Sequence, residues 1–319
     1  MKQEQLVKEF ASQYDDSAFP AEFLAAYELL ECLGFSSYGE TYLVKDRTSA
    51  SHYIAKCYPL VEGEQPIHEA DLLQKLHHKG LPQLIAQFQN EQMVCVVRTY
   101  QCGQNLQLVV SERDLNIRQL MSTAEQLCDL LIYLHSQTPA IIHRDIKPQN
   151  IILDDNLNVS LIDFGISRLY KQDATEDTIH MGTREFAAPE QFGYCQTDER
   201  SDIYSLGVVF HWLLKKIIAN GQRIPKGILL RLRRVIARCT SFDPKDRYPS
   251  AKALKRALTG KSQLLWLSLA ALFVVAGIFA FSQISGLFNA ASEQQVRFAE
   301  PLIEEAVRLT LNKGPQDPL

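Results

Sequence analysis

The run His143-Arg144-Asp145-Ile146-Lys147-Pro148-Gln149-Asn150 sets a carboxylate, an ammonium and a carboxamide close together, and Asp163-Phe164-Gly165 follows after twelve intervening residues. A carboxylate can orient a hydroxyl or take its proton. A nearby ammonium can stabilise negative charge developing on oxygen. Amide and carboxylate oxygens are the donors that a hard divalent cation prefers. The gap has the length of a short hairpin, which would bring the two clusters face to face. Upstream, Lys56 closes the apolar run Tyr53-Ile54-Ala55-Lys56, and Glu69 stands thirteen residues further on. Earlier still, Leu33-Gly34-Phe35-Ser36-Ser37-Tyr38-Gly39-Glu40-Thr41 carries glycines of the kind that let backbone N–H groups approach phosphate oxygens.

Elements to hold these residues can be read around them. Glu28–Cys32, Thr41–Val44, His52–Cys57 and Met93–Val97 read as strands separated by turn-rich loops. Leu72, Leu73 and Leu76 give residues 67–77 a helical period, and Leu127, Leu130, Leu131 and Leu134 do the same for residues 122–136. After Asp202 the pattern is almost wholly helical. Strands first and helices later predict an α+β, two-lobed architecture. With 319 residues and 46% hydrophobic content the chain can bury a large core and suggests about two folding units. Residues 1–23 read as a polar, acidic lead. The seven cysteines show no C-x-x-C spacing, which argues against a disulfide scaffold or zinc site and for a reducing compartment. His77-His78 lacks partner ligands at metal spacing and reads as structural.

In order and spacing these motifs resemble the eukaryotic-like Ser/Thr protein kinases of bacterial type, over roughly Phe23 to Leu258. The resemblance implies a kinase-like fold in residues 24–260, with a β-rich N-lobe over about 24–100 and a helical C-lobe over about 101–260. It implies ATP with Mg²⁺, or Mn²⁺ in its place, and protein substrates. Asp145 would accept or orient the substrate hydroxyl proton and Lys147 would meet the transferring phosphoryl group. Asn150 and Asp163 would be the metal ligands. Leu33, Gly34, Gly39, Thr41, Ala55, Lys56, Glu69 and Ile152 would line or orient the ATP site, with a Lys56–Glu69 ion pair directing the ammonium to the phosphates. Ser36 replaces the middle glycine of the loop, and Arg98 stands where a medium apolar residue normally backs the adenine pocket. Gly182 to Glu190 resembles the substrate-docking end of an activation segment, with Thr183 as a docking residue. Glu190, Asp202 and Arg247 would be structural. Arg144 would receive a phosphate on Thr175, Thr178 or both, added by a second copy of the chain in trans.

Net charge is -4, but residues 215–261 hold fourteen Lys or Arg against two acids, Asp243 and Asp246. Leu264–Phe281 then runs eighteen residues without a charge, about what a hydrocarbon core of ~30 Å requires. The reading is one transmembrane helix over 264–284 and a short extracytoplasmic tail over 285–319. Lys252, Lys255, Arg256 and Lys261 before the span predict a cytoplasmic N-terminal part of a single-pass cell-membrane protein. The basic block then faces anionic lipid of the inner leaflet; no base-reading motif accompanies it, which argues against nucleic acid. The competing class is a pseudokinase, a scaffold or nucleotide-binding regulatory module. It is disfavoured because Lys56, Asp145, Asn150 and Asp163 are all present.

Overall fold

The computed structural model describes residues 18–36, 39–60, 69–169, 185–193, 196–260, 272, 274–278 and 300–319. The chain divides into two units, Met1–Thr259 and Gly260–Leu319.

In the first unit, β-branched and aromatic residues on alternating positions give β1 (Tyr27–Ser36), β2 (Gly39–Asp46), β3 (His52–Pro59), β4 (Leu84–Gln89) and β5 (Met93–Thr99). They pair antiparallel in the order β1-β2-β3-β5-β4. The two faces of this sheet have different jobs. One carries Tyr42, Val44, Ala55, Cys57, Cys95 and Val97, and is covered by Phe19, Phe23 and Tyr27. Phe19 and Phe23 stack at 5.9 Å between ring centroids. Phe23 sits on α1 (Ala21–Ala26) and is fully buried, worth about 1.5–3 kcal/mol. The stretch from residue 18 is therefore part of the lobe, where the sequence placed the boundary at residue 24. The other face carries Tyr58, Val94 and Val96, and joins Leu72, Leu73 and Leu76 near α2 (Glu69–Lys75) in a core continuous with the helical lobe.

That lobe is built on α4 (Ile117–His135), which follows α3 (Leu106–Glu112). Asn116 caps α4 by accepting from the backbone N–H groups of Arg118 at 2.9 Å and Gln119 at 3.0 Å, and the Gln119 side chain accepts from Asn116 N–H at 2.8 Å. This reciprocal pair fixes where the helix begins. Its buried stripe of Leu120, Ala124, Leu127, Leu131 and Leu134 has the helical period. Then follow α5 (Glu199–Ala219), α6 (Lys226–Cys239) and α7 (Ala251–Thr259). Gly207 lets α5 and α6 meet closely, since a Cβ there would fall 2.4 Å from that of Cys239. Short strands complete the lobe: β6 (Gln104–Asn105), β7 (Ile141–Ile142), β8 (Ile151–Leu153), β9 (Val159–Leu161) and β10 (Arg168–Leu169). β8 pairs with β9 as the hairpin that the motif spacing predicts.

In the second unit, Pro301 starts α8 (Pro301–Thr310), with a Glu304–Arg308 ion pair at 2.8 Å. The expected span over 264–284 lies almost wholly outside the described residues. Leu272, Val274, Val275 and Ile278 are helical and exposed. Among the described residues no helix is long and apolar enough to cross a membrane.

Candidate active site

The turn between β7 and β8 is held from below by one buried carboxylate. Asp202, in the first turn of α5, accepts from the backbone N–H groups of His143 and Arg144, both at 2.9 Å, and lies 2.8 Å from His135 Nε2. Burial opposes its charge, yet the hydrogen bond and charge of His135, with the loop's own N–H groups, keep its carboxyl below the usual range. Arg144 takes a left-handed backbone conformation with φ 69°, a strained state for a residue with a Cβ that persists only where neighbours enforce it. The anchors are Asp202 and Gln191, whose side chain donates to Arg144 O at 2.8 Å. Gln191 belongs to the short 3₁₀ turn Pro189–Phe192. In the same turn Glu190 is gripped by Arg247, so the three residues expected to be structural, Glu190, Asp202 and Arg247, all converge beneath this loop.

Held this way, Asp145 projects beside two donors. Its Oδ2 receives Lys147 Nζ at 2.7 Å and Asn150 Nδ2 at 2.8 Å, and Asn150 Nδ2 also donates to Asp145 O at 2.9 Å. The amide nitrogen of Asn150 is thereby committed, which leaves its oxygen as the atom for a cation. Asp163, on the far side of the hairpin, also has a left-handed backbone with φ 71°. Its Oδ1 pairs with Lys56 Nζ. Burial opposes ionisation of Asp163, but Lys56 and Arg98 outweigh it and hold the carboxyl well below the usual carboxylate range. Gly165 makes this contact sterically feasible: a Cβ there would lie 2.7 Å from Lys56 Nζ and 3.2 Å from the Tyr58 hydroxyl.

The nucleotide-loop residues form the outer edge of the sheet. Thr41 pairs directly opposite Lys56 and shares its face, and Gly34 pairs opposite Thr41. Gly39 has φ 147°, and a Cβ there would fall 2.3 Å from Cys57 O, so only glycine fits. Gly34 has open space around it and Leu33 is 48% exposed. Ile152 lies half-buried on β8, opposite Asn105 of β6. Thr175, Thr178 and Thr183 lie outside the described residues.

Two expectations are corrected. Ala55 does not share the Lys56 face: strand alternation turns its methyl into the opposite cluster with Val97 and Cys95, and Ile54 takes the place beside Lys56. Glu69 does not pair with Lys56. Its Oε1 accepts from Arg98 Nη1 and its Oε2 from the Tyr58 hydroxyl, all three residues being buried, while Lys56 turns to Asp163. Tyr58 was missed by motif reading. Its position two residues beyond Lys56, on the same strand face, was the available signal.

His143 yields a pH prediction. It is fully buried, packs edge-on to Phe164 at 4.9 Å, and its Nδ1 accepts from Asp145 N–H at 3.3 Å. Burial lowers its imidazole below the ordinary 6.5, against the pull of Asp202, Asp145 and Asp163. Below that ordinary value the unfolded chain takes up a proton that the folded one refuses, so stability falls as pH drops. Urea unfolding from neutral to mildly acid pH should show this loss, and His143→Gln should lack that component of the slope. An unchanged slope in the variant would assign the loss to other groups.

Residues 27–256 match the family model described as protein kinase domain. A probable LRR receptor-like serine/threonine-protein kinase, RPK1, of Arabidopsis thaliana is 35% identical over 187 residues, covering 56% of this chain and 34% of that protein. An Aurora kinase of Eremothecium gossypii is 26% identical over 266 residues, 76% of this chain and 71% of its own length. Serine/threonine-protein kinase D of Synechocystis is 29% identical over 270 residues, 74% of this chain and 52% of the relative. The first relatives are longer proteins, of which the chain spans 14% to 34%.

Proposed function

Because this chain belongs to the protein kinase domain family, in the form found in Ser/Thr protein kinases, we propose that it transfers the γ-phosphoryl group of ATP to Ser and Thr hydroxyls of proteins. The observation that carries this reading is the convergence on Asp145 of Lys147 and Asn150, with the Lys56–Asp163 pair at the other side of the hairpin. A degenerate scaffold has no need to keep all five groups in hydrogen-bonding order.

In this reading Asp145 orients the acceptor hydroxyl and takes its proton, while Lys147 keeps a positive charge beside the oxygen where the new bond forms. Lys56 leaves Asp163 for the α- and β-phosphates. Asn150 and Asp163 fit a hard divalent cation such as Mg²⁺, with an amide oxygen and an ionised carboxylate. Among the described residues no cluster of three or more His, Cys, Asp or Glu could hold a metal by itself. That suits a cation whose remaining ligands are phosphate oxygens and water. When bound, it neutralises charge on the phosphates.

Three finer readings belong with this one. Uncharged Leu264–Phe281 supports a membrane anchor. The exposed Lys226, Arg233, Arg234 and Arg238 of α6, with Lys252 and Arg256 of α7, support contact with anionic lipid on the cytoplasmic side. Arg144 supports activation by phosphate on Thr175, Thr178 or both, added in trans.

The test is incubation of the purified chain with ATP, Mg²⁺ and a generic basic protein, followed by identification of the modified residues. Phosphoserine and phosphothreonine are expected in the substrate. Nucleotide binding with no transfer to any protein would replace this reading with the pseudokinase. Removal of residues 262–319 should release the protein from membranes, and continued pelleting after a high-salt wash would discard the anchor.

A further inference from the structure

The inner face of the sheet holds a buried ion pair, Arg98 with Glu69, that the proposed chemistry does not require. β3 contributes Ile54, Lys56 and Tyr58, and β5 contributes Val94, Val96 and Arg98, with Arg98 directly opposite Ile54 and Val96 opposite Lys56. Glu69 opens α2 and faces them. Two cations and two anions therefore share one region, and the contacts divide them cleanly: Lys56 with Asp163, Arg98 with Glu69. Tyr58 stands between the pairs. Its hydroxyl donates to Glu69, and its ring lies 5.4 Å from Lys56 Nζ. Glu69 is 1% exposed and Arg98 4%.

A carboxylate this deeply buried needs a cation of its own, because losing one partner leaves an uncompensated charge in a poorly polarisable site. Lys56 cannot meet that need at every stage of a reaction in which it must also approach phosphates. Arg98 can. Its guanidinium cannot lose its proton, and β5 is locked between β3 and β4. We propose that Arg98 is the positioning residue for α2: it holds Glu69 inward whether or not nucleotide is present, and Lys56 is left to divide its time between Asp163 and the phosphates. The consequence concerns control. An N-lobe clamped through β5 has no Lys56–Glu69 pair to make or break, so regulation must act elsewhere, on the segment after Asp163 or through association of copies.

The inference deepens the kinase reading and rests on it for the role of Lys56, but its test needs no turnover. In the full-length chain, Arg98→Met, Glu69→Gln and Lys56→Met are made singly and in the pairs 98/69 and 56/69. Unfolding equilibria and amide hydrogen exchange over residues 69–75 are then measured with and without Mg²⁺ and a non-hydrolysable ATP analogue. Expected is a coupling of about tenfold or more in the unfolding constant between positions 98 and 69, against less than about threefold between 56 and 69. Arg98→Met should speed exchange in α2 and Lys56→Met should not. If Arg98→Met is too unstable to purify, Arg98→Lys and the neutral double variant Glu69→Gln/Arg98→Met serve: the former should retain part of the protection in α2, and the latter should be more stable than the Arg98→Met change predicts. Stronger coupling between 56 and 69 in either state, or α2 exchange that responds to Lys56→Met as much as to Arg98→Met, overturns the proposal. Absence of phosphoryl transfer by the parent chain would defeat the kinase reading and leave these couplings to be read independently.

Discussion

Asp145→Asn is expected to fold and bind nucleotide like the parent and to transfer phosphate about 10²–10⁴ times more slowly, the range general-base catalysis contributes. The substitution keeps the side chain's shape and leaves one oxygen to accept from Lys147 and Asn150, which meet Asp145 Oδ2 at 2.7 and 2.8 Å. What it removes is the charge that draws a hydroxyl proton and balances Lys147. The loop itself should stay in place, because its supports are backbone contacts to Asp202 and Gln191 that the substitution does not touch. Single-turnover transfer from labelled ATP, set beside nucleotide affinity from a fluorescence titration, separates the two effects. Parent-like transfer would remove Asp145 from the mechanism. A loss of nucleotide affinity equal to the loss of rate would mean that the carboxylate acts in binding instead.

The parts of this site that the sequence made legible are those whose partners are close in the chain. The 143–150 loop and the 163–165 turn are joined by one hairpin, so spacing alone predicts that they face each other, and β8 and β9 form that hairpin. The parts that spacing misjudged depend on which way a strand faces. Reading Ala55 toward the nucleotide is an error of one residue, and in a structure of period two a slip of one residue changes the face. Arg98 is hidden for a different reason. Its partner is 29 residues away on another element, and an arginine in an apolar strand looks like an interruption until the carboxylate it neutralises is found. β4 announces itself weakly, since Gln87 and Gln89 dilute a six-residue strand. Phe19 and Phe23 lie at the end of a polar segment, and only the sheet they cover reveals them as core.

Arg247→Ala should cost about 3–5 kcal/mol of stability, the usual penalty for stranding one member of a buried ion pair. The Arg247 side chain has no exposed surface, and all of its nitrogens are used. Nη1 donates to Glu190 Oε1 at 2.6 Å and to Arg200 O at 3.0 Å; Nη2 donates to Glu190 Oε2 and Phe242 O, both at 2.9 Å; Nε donates to Ser241 O at 2.8 Å. Its guanidinium also lies 4.8 Å from the Tyr204 ring centroid. Removing it leaves Glu190 in the core with the Ser201 hydroxyl at 2.7 Å and no cation bonded to it among the described residues. For a unit of this size the penalty corresponds to a fall of roughly 6–20 °C in Tm, measurable by calorimetry. The cost has two components that a second variant separates. Arg247→Met/Glu190→Gln removes both charges and should recover much of the stability if the stranded carboxylate dominates, but little of it if the three carbonyl contacts do. Either way activity should suffer less than in Asp145→Asn, because Glu190 acts on the catalytic loop through its neighbour Gln191, which donates to the Arg144 carbonyl, and through Ser201 beside Asp202, and touches neither Asp145 nor Lys147 in the contacts described. A Tm within about 2 °C of the parent in Arg247→Ala would mean that water or another cation replaces the guanidinium, and that the Glu190 turn is not held from this side.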